Sequence, residues 1–263
     1  EGCQDLHIDT CQFFSADQGL PAQDRKSLVF NTNANDIKIR NNRSSRFGHF
    51  AVVSGSGAIF AGNHFFGGDD QQPGLRRAGV VLTLPDCKTF FTGNYVDNCF
   101  IELSNEHDAT PAYGGSFSFG SLTITGNTFT AQHVQPWFNW VVVTPRGPGH
   151  FLYGLTITSN VFYARSGNID RVEAVDSTHA TLAYNSFRNV HMHSNTFTGV
   201  ALRAESPMLV EHTQSTAADT WAVDTGGLLP FGGRARNVVG LVFEGAVSNS
   251  ANATQYVTPY VQV

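Results

Sequence analysis

Apolar and polar residues alternate over the first 200 residues in a unit that recurs along the chain. The clearest copies are Leu122–Phe129, Leu155–Phe162 and Val190–Phe197, each with an Asn as its sixth residue. Two apolar residues, five and three places before that Asn, are separated by a polar residue, which is the period of a strand with one buried face. Gly or Ser followed by Asn suits a tight corner, because Asn tolerates the left-handed region. The unit therefore predicts a short strand that ends at a corner.

The copies recur at spacings that predict a stack of coils. Weaker copies are Ile37–Asn42, Ala58–Phe65, Thr89–Val96 and Leu6–Phe13, the last with Cys in place of Asn. The equivalent positions 11, 42, 63, 94, 127, 160 and 195 are 31, 21, 31, 33, 33 and 35 residues apart. One such strand cannot bury its apolar face alone, so stacked neighbours must supply the core. We expect an internal Asn ladder and a stack of the Phe residues two places later (Phe13, Phe65, Phe129, Phe162 and Phe197).

A second strand aligns in each coil, and its first and third columns are apolar. Its copies are Leu28–Asn31, Ala51–Ser54, Val80–Thr83, Ile101–Ser104, Val141–Thr144 and Val172–Val175. The prediction is an all-β, single-stranded, right-handed parallel β-helix of about seven coils over residues 1–200. Residues 201–263 lose the Asn corner and are expected to form a non-repeating C-terminal β cap or a small separate β region. A β-sandwich or propeller is the alternative, but it would show hairpin turns and no fixed Asn corner.

This coil pattern resembles the right-handed β-helix proteins of the pectate-lyase superfamily. It resembles especially the proteins related to glycoside hydrolase family 28 and the tailspike-like β-helices of phages and phage-derived particles. It implies carbohydrate, here a polysaccharide, as the ligand, often a homotrimer, and a location that is extracellular or on a virion surface. It does not imply one chemistry, because one fold hosts many activities.

Charge and composition argue against several other classes of protein. The net charge of -5 argues against nucleic acid as a partner, which would need a basic surface. No apolar run approaches the roughly 18 residues that cross a bilayer, so no membrane association is predicted. There is no Walker loop and no Gly-x-Ser-x-Gly or Cys-x-x-Cys motif, and we predict neither a cofactor nor a metal. Cys87 and Cys99 flank one coil and form either a disulfide or two free core thiols.

The outward columns of the second strand suggest a catalytic pair. They place Glu102 and Glu173 in one column two coils apart, roughly 10 Å at about 4.8 Å per coil. Two carboxylates about 6.5–9.5 Å apart suit an inverting glycosidase. We therefore predict polysaccharide cleavage with Glu102, Glu173 and Arg146 as catalytic residues. The predicted saccharide-binding residues are Trp140, Arg171, Glu106, His107 and His150.

The reaction type stays open, and so does catalysis itself. Hydrolysis would use the two carboxylates, whereas a lyase would need a base and a cation such as Arg146, Arg171, His107 or His150. A competing hypothesis starts from the apolar residues of the same face (Val29, Val52, Val81, Val142, Phe50, Phe100 and Trp140). Such a face is too apolar to be left in water. It predicts packing between subunits of a non-catalytic, trimeric receptor-binding fibre, with the glutamates paired to Arg146 or Arg171.

Overall fold

The computed structural model describes residues 3–15, 26–30, 34–67, 78–106, 108, 110–112 and 118–263. They form a parallel β-solenoid with three long parallel sheets, which confirms the predicted fold class. The corner sheet leads into the Asn corner and contains β2 (His7–Asp9), β6 (Lys38–Arg40), β9 (Ile59–Ala61), β12 (Thr89–Thr92), β15 (Ser118–Thr125), β18 (Phe151–Thr158) and β21 (Phe187–His193).

Two further sheets complete each coil. The middle sheet follows the corner and contains β3 (Gln12–Phe14), β7 (Arg43–Ser45), β10 (His64–Phe66), β13 (Tyr95–Asp97), β16 (Thr128–Ala131), β19 (Val161–Ala164) and β22 (Thr196–Thr198). The third sheet contains β4 (Lys26–Phe30), β8 (His49–Val53), β11 (Ala78–Leu82), β14 (Phe100–Ser104), β17 (Val141–Thr144) and β20 (Glu173–Val175). The last coil gives no strand to the third sheet, so the complete coils are slightly fewer than the seven predicted.

The remaining regular elements of the described residues are short. A parallel pair, β1 (Cys3–Gln4) and β5 (Ala34–Asn35), lies at the first coils. Two 3-10 turns span Tyr184–Ser186 and Pro230–Gly232. An antiparallel pair, β23 (Val247–Ser248) and β24 (Thr254–Gln255), lies near the C-terminus.

The predicted Asn ladder is present from Asn42 to Asn195. From Asn42 to Asn160, each side-chain Nδ2 donates to the Oδ1 of the corner Asn in the next coil at 2.9–3.1 Å. The same Nδ2 also donates to a backbone carbonyl of the preceding coil at 2.8–3.0 Å. Since an unpaired buried amide costs about 1–3 kcal/mol, this complete pairing explains why Asn recurs at the corner.

The aromatic stack is confirmed in part, with two substitutions from neighbouring strands. Phe129 stacks on Phe162 at 4.8 Å between ring centroids, and Phe162 stacks on Phe197 at 5.7 Å. Where the repeat has Val96, the ring of Phe91 lies between Phe65 and Phe129, at 5.7 and 6.4 Å. Where the repeat has Ser44, Phe50 contacts both Phe13 and Phe65 instead (5.0 and 5.7 Å). A small residue in one column is therefore compensated by a large one from the next strand, as close packing requires.

The two cysteines for which a disulfide was one alternative are free thiols. Cys87 and Cys99 are both buried and unbonded. Burial raises the pKa of the Cys87 thiol to about 11 and also raises the pKa of Cys99. Protonated, buried thiols are poor nucleophiles, so they act as small core residues.

Residues 201–233 pack against the last coils, and residues 234–263 are largely exposed. Met192 and Ser206 exchange two backbone hydrogen bonds of 2.9 and 2.8 Å, and the Glu205 N–H donates to the Leu228 carbonyl at 2.9 Å. Ala204 and Pro230 are buried in this contact. In the described residues, no helix is long and apolar enough to cross a bilayer.

Candidate functional site

The predicted carboxylate pair is not assembled, because the register differs from the alignment by one residue. Glu102 pairs with Val142, and Val142 pairs with Ala174. Glu173 instead pairs with Val141, which lies in the inward column of Ile101. A shift of one residue exchanges the two faces of a strand. Glu102 and Glu173 therefore lie on opposite faces of the third sheet, and their predicted shared column is wrong.

A β-bulge accounts for the error. The N–H groups of Trp140 and Val141 both donate to the Val172 carbonyl, at 2.8 and 3.0 Å. Two residues then face one, which shifts the alternation of inward and outward side chains. Trp140, predicted to lie outside as an aromatic platform, is fully buried and its ring lies 5.5 Å from both Phe138 and Phe162. It is a core residue with no surface for a saccharide.

Arg171 and Glu173 form hydrogen bonds that join residues 227–231 to the last complete coil. Arg171 Nη2 and Nε lie 2.7 and 3.0 Å from Glu173 Oε1. Arg171 also donates to the carbonyls of Gly227 and Leu229, both at 2.7 Å, and Phe231 N–H donates to Glu173 Oε1 at 3.0 Å. Burial raises the pKa of Glu173, although the Arg171 charge opposes this effect. These contacts engage the Arg171 guanidinium and Glu173 Oε1 within the chain, although both residues were predicted to act on substrate.

Three other predicted residues do come together, at the ends of β14 and β17. Glu106 Oε2 lies 3.3 Å from Arg146 Nη2. Asn105 joins them to His150: its Oδ1 accepts the Arg146 backbone N–H at 2.8 Å, and its Nδ2 lies 3.0 Å from His150 Nε2. We call this cluster the strand-end site, comprising Ser104, Asn105, Glu106, Asp108, Thr144, Arg146 and His150. Glu102 lies on the outward face of β14 and is buried, and His107 lies outside the described residues.

The strand-end site contains an unusual concentration of buried polar atoms. Among the described residues it holds four with no hydrogen-bond partner: Ser104 Oγ, Asp108 Oδ2, Thr144 Oγ1 and Arg146 Nε. Buried polar atoms are nearly always paired, so each such atom calls for a ligand, an ion or ordered solvent. Sequence reasoning missed Ser104 and Thr144, although a column of hydroxyl residues was visible in the strand alignment.

Burial also sets the charge state of His150. Loss of solvent lowers its pKa, and this effect exceeds the raising effects of the Pro111 carbonyl, 2.7 Å from Nε2, and of the Asp108 charge. The ring of Phe119 packs edge-on at 5.2 Å. The site thus offers a neutral imidazole, a guanidinium, carboxylates and hydroxyls in a setting that excludes most water. In the described part of the chain, no group of three or more His, Cys, Asp or Glu residues is arranged to hold a metal.

A second polar cluster, which the sequence did not suggest, lies on the outer face of the middle sheet. The rings of His64 and Tyr95 are 4.7 Å apart, and Thr130 Oγ1 donates to Asp97 Oδ1 at 3.0 Å. Burial raises the pKa of Asp97, whereas burial and the charge of Arg43 lower the pKa of His64. These residues face outward on neighbouring strands. The sequence signal for this cluster was that each of its residues lies one or three places after a corner Asn.

Comparison with known proteins finds no family model, no curated protein and no solved structure that matches the chain. The molecule is a parallel β-solenoid, and no family match confirms the resemblance to the pectate-lyase superfamily.

Proposed function

We propose that this β-solenoid binds a saccharide at the strand-end site and does not use Glu102 and Glu173 as an acid/base pair. The observation that supports the proposal is the set of buried, unpaired atoms on Ser104, Asp108, Thr144 and Arg146. An extracellular or virion-surface location, where polysaccharides are met, is part of the same proposal.

The chemistry of these atoms favours a ligand that carries several hydroxyl groups. The guanidinium N–H of Arg146 needs an acceptor, the Asp108 carboxylate needs a donor, and the two hydroxyls can serve as either. A sugar hydroxyl both donates and accepts, so adjacent hydroxyls match such a mixed set. An apolar ligand would leave all four atoms unpaired, and a phosphate would be repelled by the carboxylates of Glu106 and Asp108.

The geometry of the carboxylates argues against cleavage by Glu102 and Glu173. Both glycosidase geometries require two carboxyl groups that flank one glycosidic bond. Glu173 is fully buried on the inner face of the third sheet, paired with Arg171, whereas Glu102 faces outward. The two therefore do not reach the same bond.

The proposal is tested with a panel of neutral and acidic polysaccharides and the variant Thr144→Val. We expect the wild type to bind at least one of them and Thr144→Val to bind it about 3–10-fold more weakly, since one hydrogen bond contributes about 0.5–1.5 kcal/mol. The free variant should be no less stable than the wild type, because it loses an unpaired buried hydroxyl. Thr123→Val, a half-exposed hydroxyl on the corner sheet, is the matched control.

Two outcomes would contradict the proposal. One is a wild type that binds no member of the panel, and the other is Thr144→Val binding as tightly as the control. The same samples are monitored for unsaturated uronates and for reducing ends. Turnover in either measurement that survives Glu102→Gln and Glu173→Gln would show cleavage by other residues.

A further inference from the structure

The strand-end site carries more negative than positive charge. Glu106 and Asp108 each have a carboxylate, whereas Arg146 has the one guanidinium of this cluster. Arg146 is already paired with Glu106, at 3.3 Å between Nη2 and Oε2. Burial lowers the pKa of His150, which favours its uncharged imidazole. The Asp108 carboxylate is therefore the group of this cluster whose charge has no pairing cation among the described residues.

Two hydroxyls on the adjoining strands are buried and also unpaired. Ser104 and Thr144 pair with each other in the register of β14 and β17 and are 0% and 2% exposed. They follow the core residues Leu103 and Val143, so both face outward. Ser104 Oγ and Thr144 Oγ1 form no hydrogen bond. Since unpaired buried hydroxyls are rare, they indicate a ligand independently of the charge beside them.

The number of donors and acceptors matches one arrangement of ligand groups. Asp108 Oδ2 can only accept, Ser104 Oγ and Thr144 Oγ1 are able to accept, and Arg146 Nε can only donate. An ammonium group has three N–H donors and no acceptor, which gives one donor for each of the three acceptors. A hydroxyl oxygen on a neighbouring carbon would then accept from Arg146 Nε. An amine beside a hydroxyl is the arrangement found in an amino sugar.

Other sugars satisfy these atoms less well. A neutral sugar can form the hydrogen bonds but leaves the Asp108 charge unbalanced, and a buried charge is costly unless it is paired. A uronate would add a third carboxylate beside Glu106 and Asp108, where like charges repel. A ligand ammonium removes the imbalance, and hydrogen bonds between charged groups are roughly twice as strong as those between neutral groups.

We propose that the saccharide bound at the strand-end site is an amino sugar, whose protonated amine pairs with Asp108 and whose adjacent hydroxyl pairs with Arg146. This inference rests on the proposed function, because it assigns the class of sugar to the same site. It makes Asp108 the residue that determines specificity, whereas the hydroxyls of Ser104 and Thr144 contribute to the binding of any sugar.

Single sugars test the class without assuming a linkage. The probes are the methyl glycosides of glucosamine and galactosamine, their N-acetylated forms, the matching glucosides and galactosides, and the matching uronates. NMR titration of the full chain at about pH 7, where such an amine is largely protonated, measures each dissociation constant. We expect one amino glycoside to bind about tenfold more tightly than its neutral counterpart. N-acetylation should remove this gain because it removes the charge, and the uronates should bind most weakly.

Asp108→Asn is the variant that separates charge from hydrogen bonding. Asn keeps an oxygen that accepts but has no charge. The affinity for the amino glycoside should fall about tenfold, whereas the affinity for the neutral glycoside should change by less than about twofold. Asp219→Asn removes the same charge at an exposed residue outside the site and is the matched control. It should keep the wild-type preference.

Failure of this inference can be distinguished from failure of the proposed function. An amino glycoside that binds no more tightly than its neutral counterpart, with Thr144→Val weakening both, would overturn the amino-sugar assignment and leave saccharide binding intact. A preference that survives Asp108→Asn, or tighter binding of a uronate, would also overturn the assignment. A wild type that binds no single sugar and no polysaccharide contradicts both. The comparison of amine with N-acetylated form uses the wild type alone, so it does not depend on the folding of a variant.

Discussion

The coils and residues 237–263, which we call the apolar tail, have similarly apolar sequences but opposite environments. In the coils, Phe129 and Phe162 are fully buried, and the corner amides are hydrogen-bonded to both neighbouring coils. In the tail, Val239 and Tyr256 are almost fully exposed, and the backbone over 235–246 is unpaired. The difference lies in stacking: each apolar strand of the coils pairs with similar strands of the neighbouring coils, whereas residues 235–246 form no strand.

Removing a ring from each region should give the largest contrast. Phe129→Ala should lower the free energy of unfolding by about 3–5 kcal/mol, because it opens a cavity between Phe91 and Phe162. Tyr256→Ala should change it by less than about 0.5 kcal/mol under conditions where the protein is monomeric. Urea denaturation at low protein concentration measures both, and equal losses would show that the tail is packed within the single chain.

The junction between the regions should respond to pH through Glu173. Burial raises the pKa of this carboxyl above its ordinary value of 4.5, so the folded state binds its proton more tightly than the unfolded state. Its contribution therefore falls as the pH rises from about 4.5 through the folded pKa, by up to about 1.4 kcal/mol per pH unit.

Glu173→Gln is the matched variant for this effect. Gln keeps an acceptor for Arg171 and for the Phe231 N–H but does not titrate. The difference in unfolding free energy between wild type and variant should depend on pH in that window. Parallel pH profiles for the two proteins would rule out Glu173 as the source.

The smallest expected change extends the ladder by one residue. Cys11 occupies the corner position of the first coil, and its backbone N–H donates to Asn42 Oδ1 at 2.9 Å. Cys11→Asn adds an Nδ2 that can donate to the same oxygen, and should stabilise the protein by about 0.5–1 kcal/mol. Cys11→Ala is the control, since it removes the thiol without adding an amide. A gain in thermal stability that Cys11→Ala shares would come from the lost thiol rather than the ladder.

The fold was predictable from sequence because the repeated unit specifies a strand and a corner in each coil. Period-two alternation and an Asn at each corner define which residues stack, and Asn127 lies over Asn160 as expected. The site was predictable only where it followed from strand order, as for Glu106 and Arg146. Trp140 and Glu173 were misplaced because a bulge depends on backbone hydrogen bonds that the residue pattern does not reveal.

The burial of the outward-facing residues of the third sheet could not be predicted from the pattern either. Val52 and Val81 alternate as outward residues should, yet they pack with Ala78 inside one chain. Alternation gives the direction of a side chain but not what covers it. The pattern therefore did not show that the exposed apolar side chains lie in residues 237–263 rather than on this face.

The asparagine corners also make the length of this molecule modular. Neighbouring corners are joined amide to amide, while the chain between them varies from 21 residues to 35. A turn excised or duplicated from one asparagine to the next would present the same groups at each junction. The molecule could thus be shortened or extended in steps of about 4.8 Å, the spacing of its strands, without any new kind of contact.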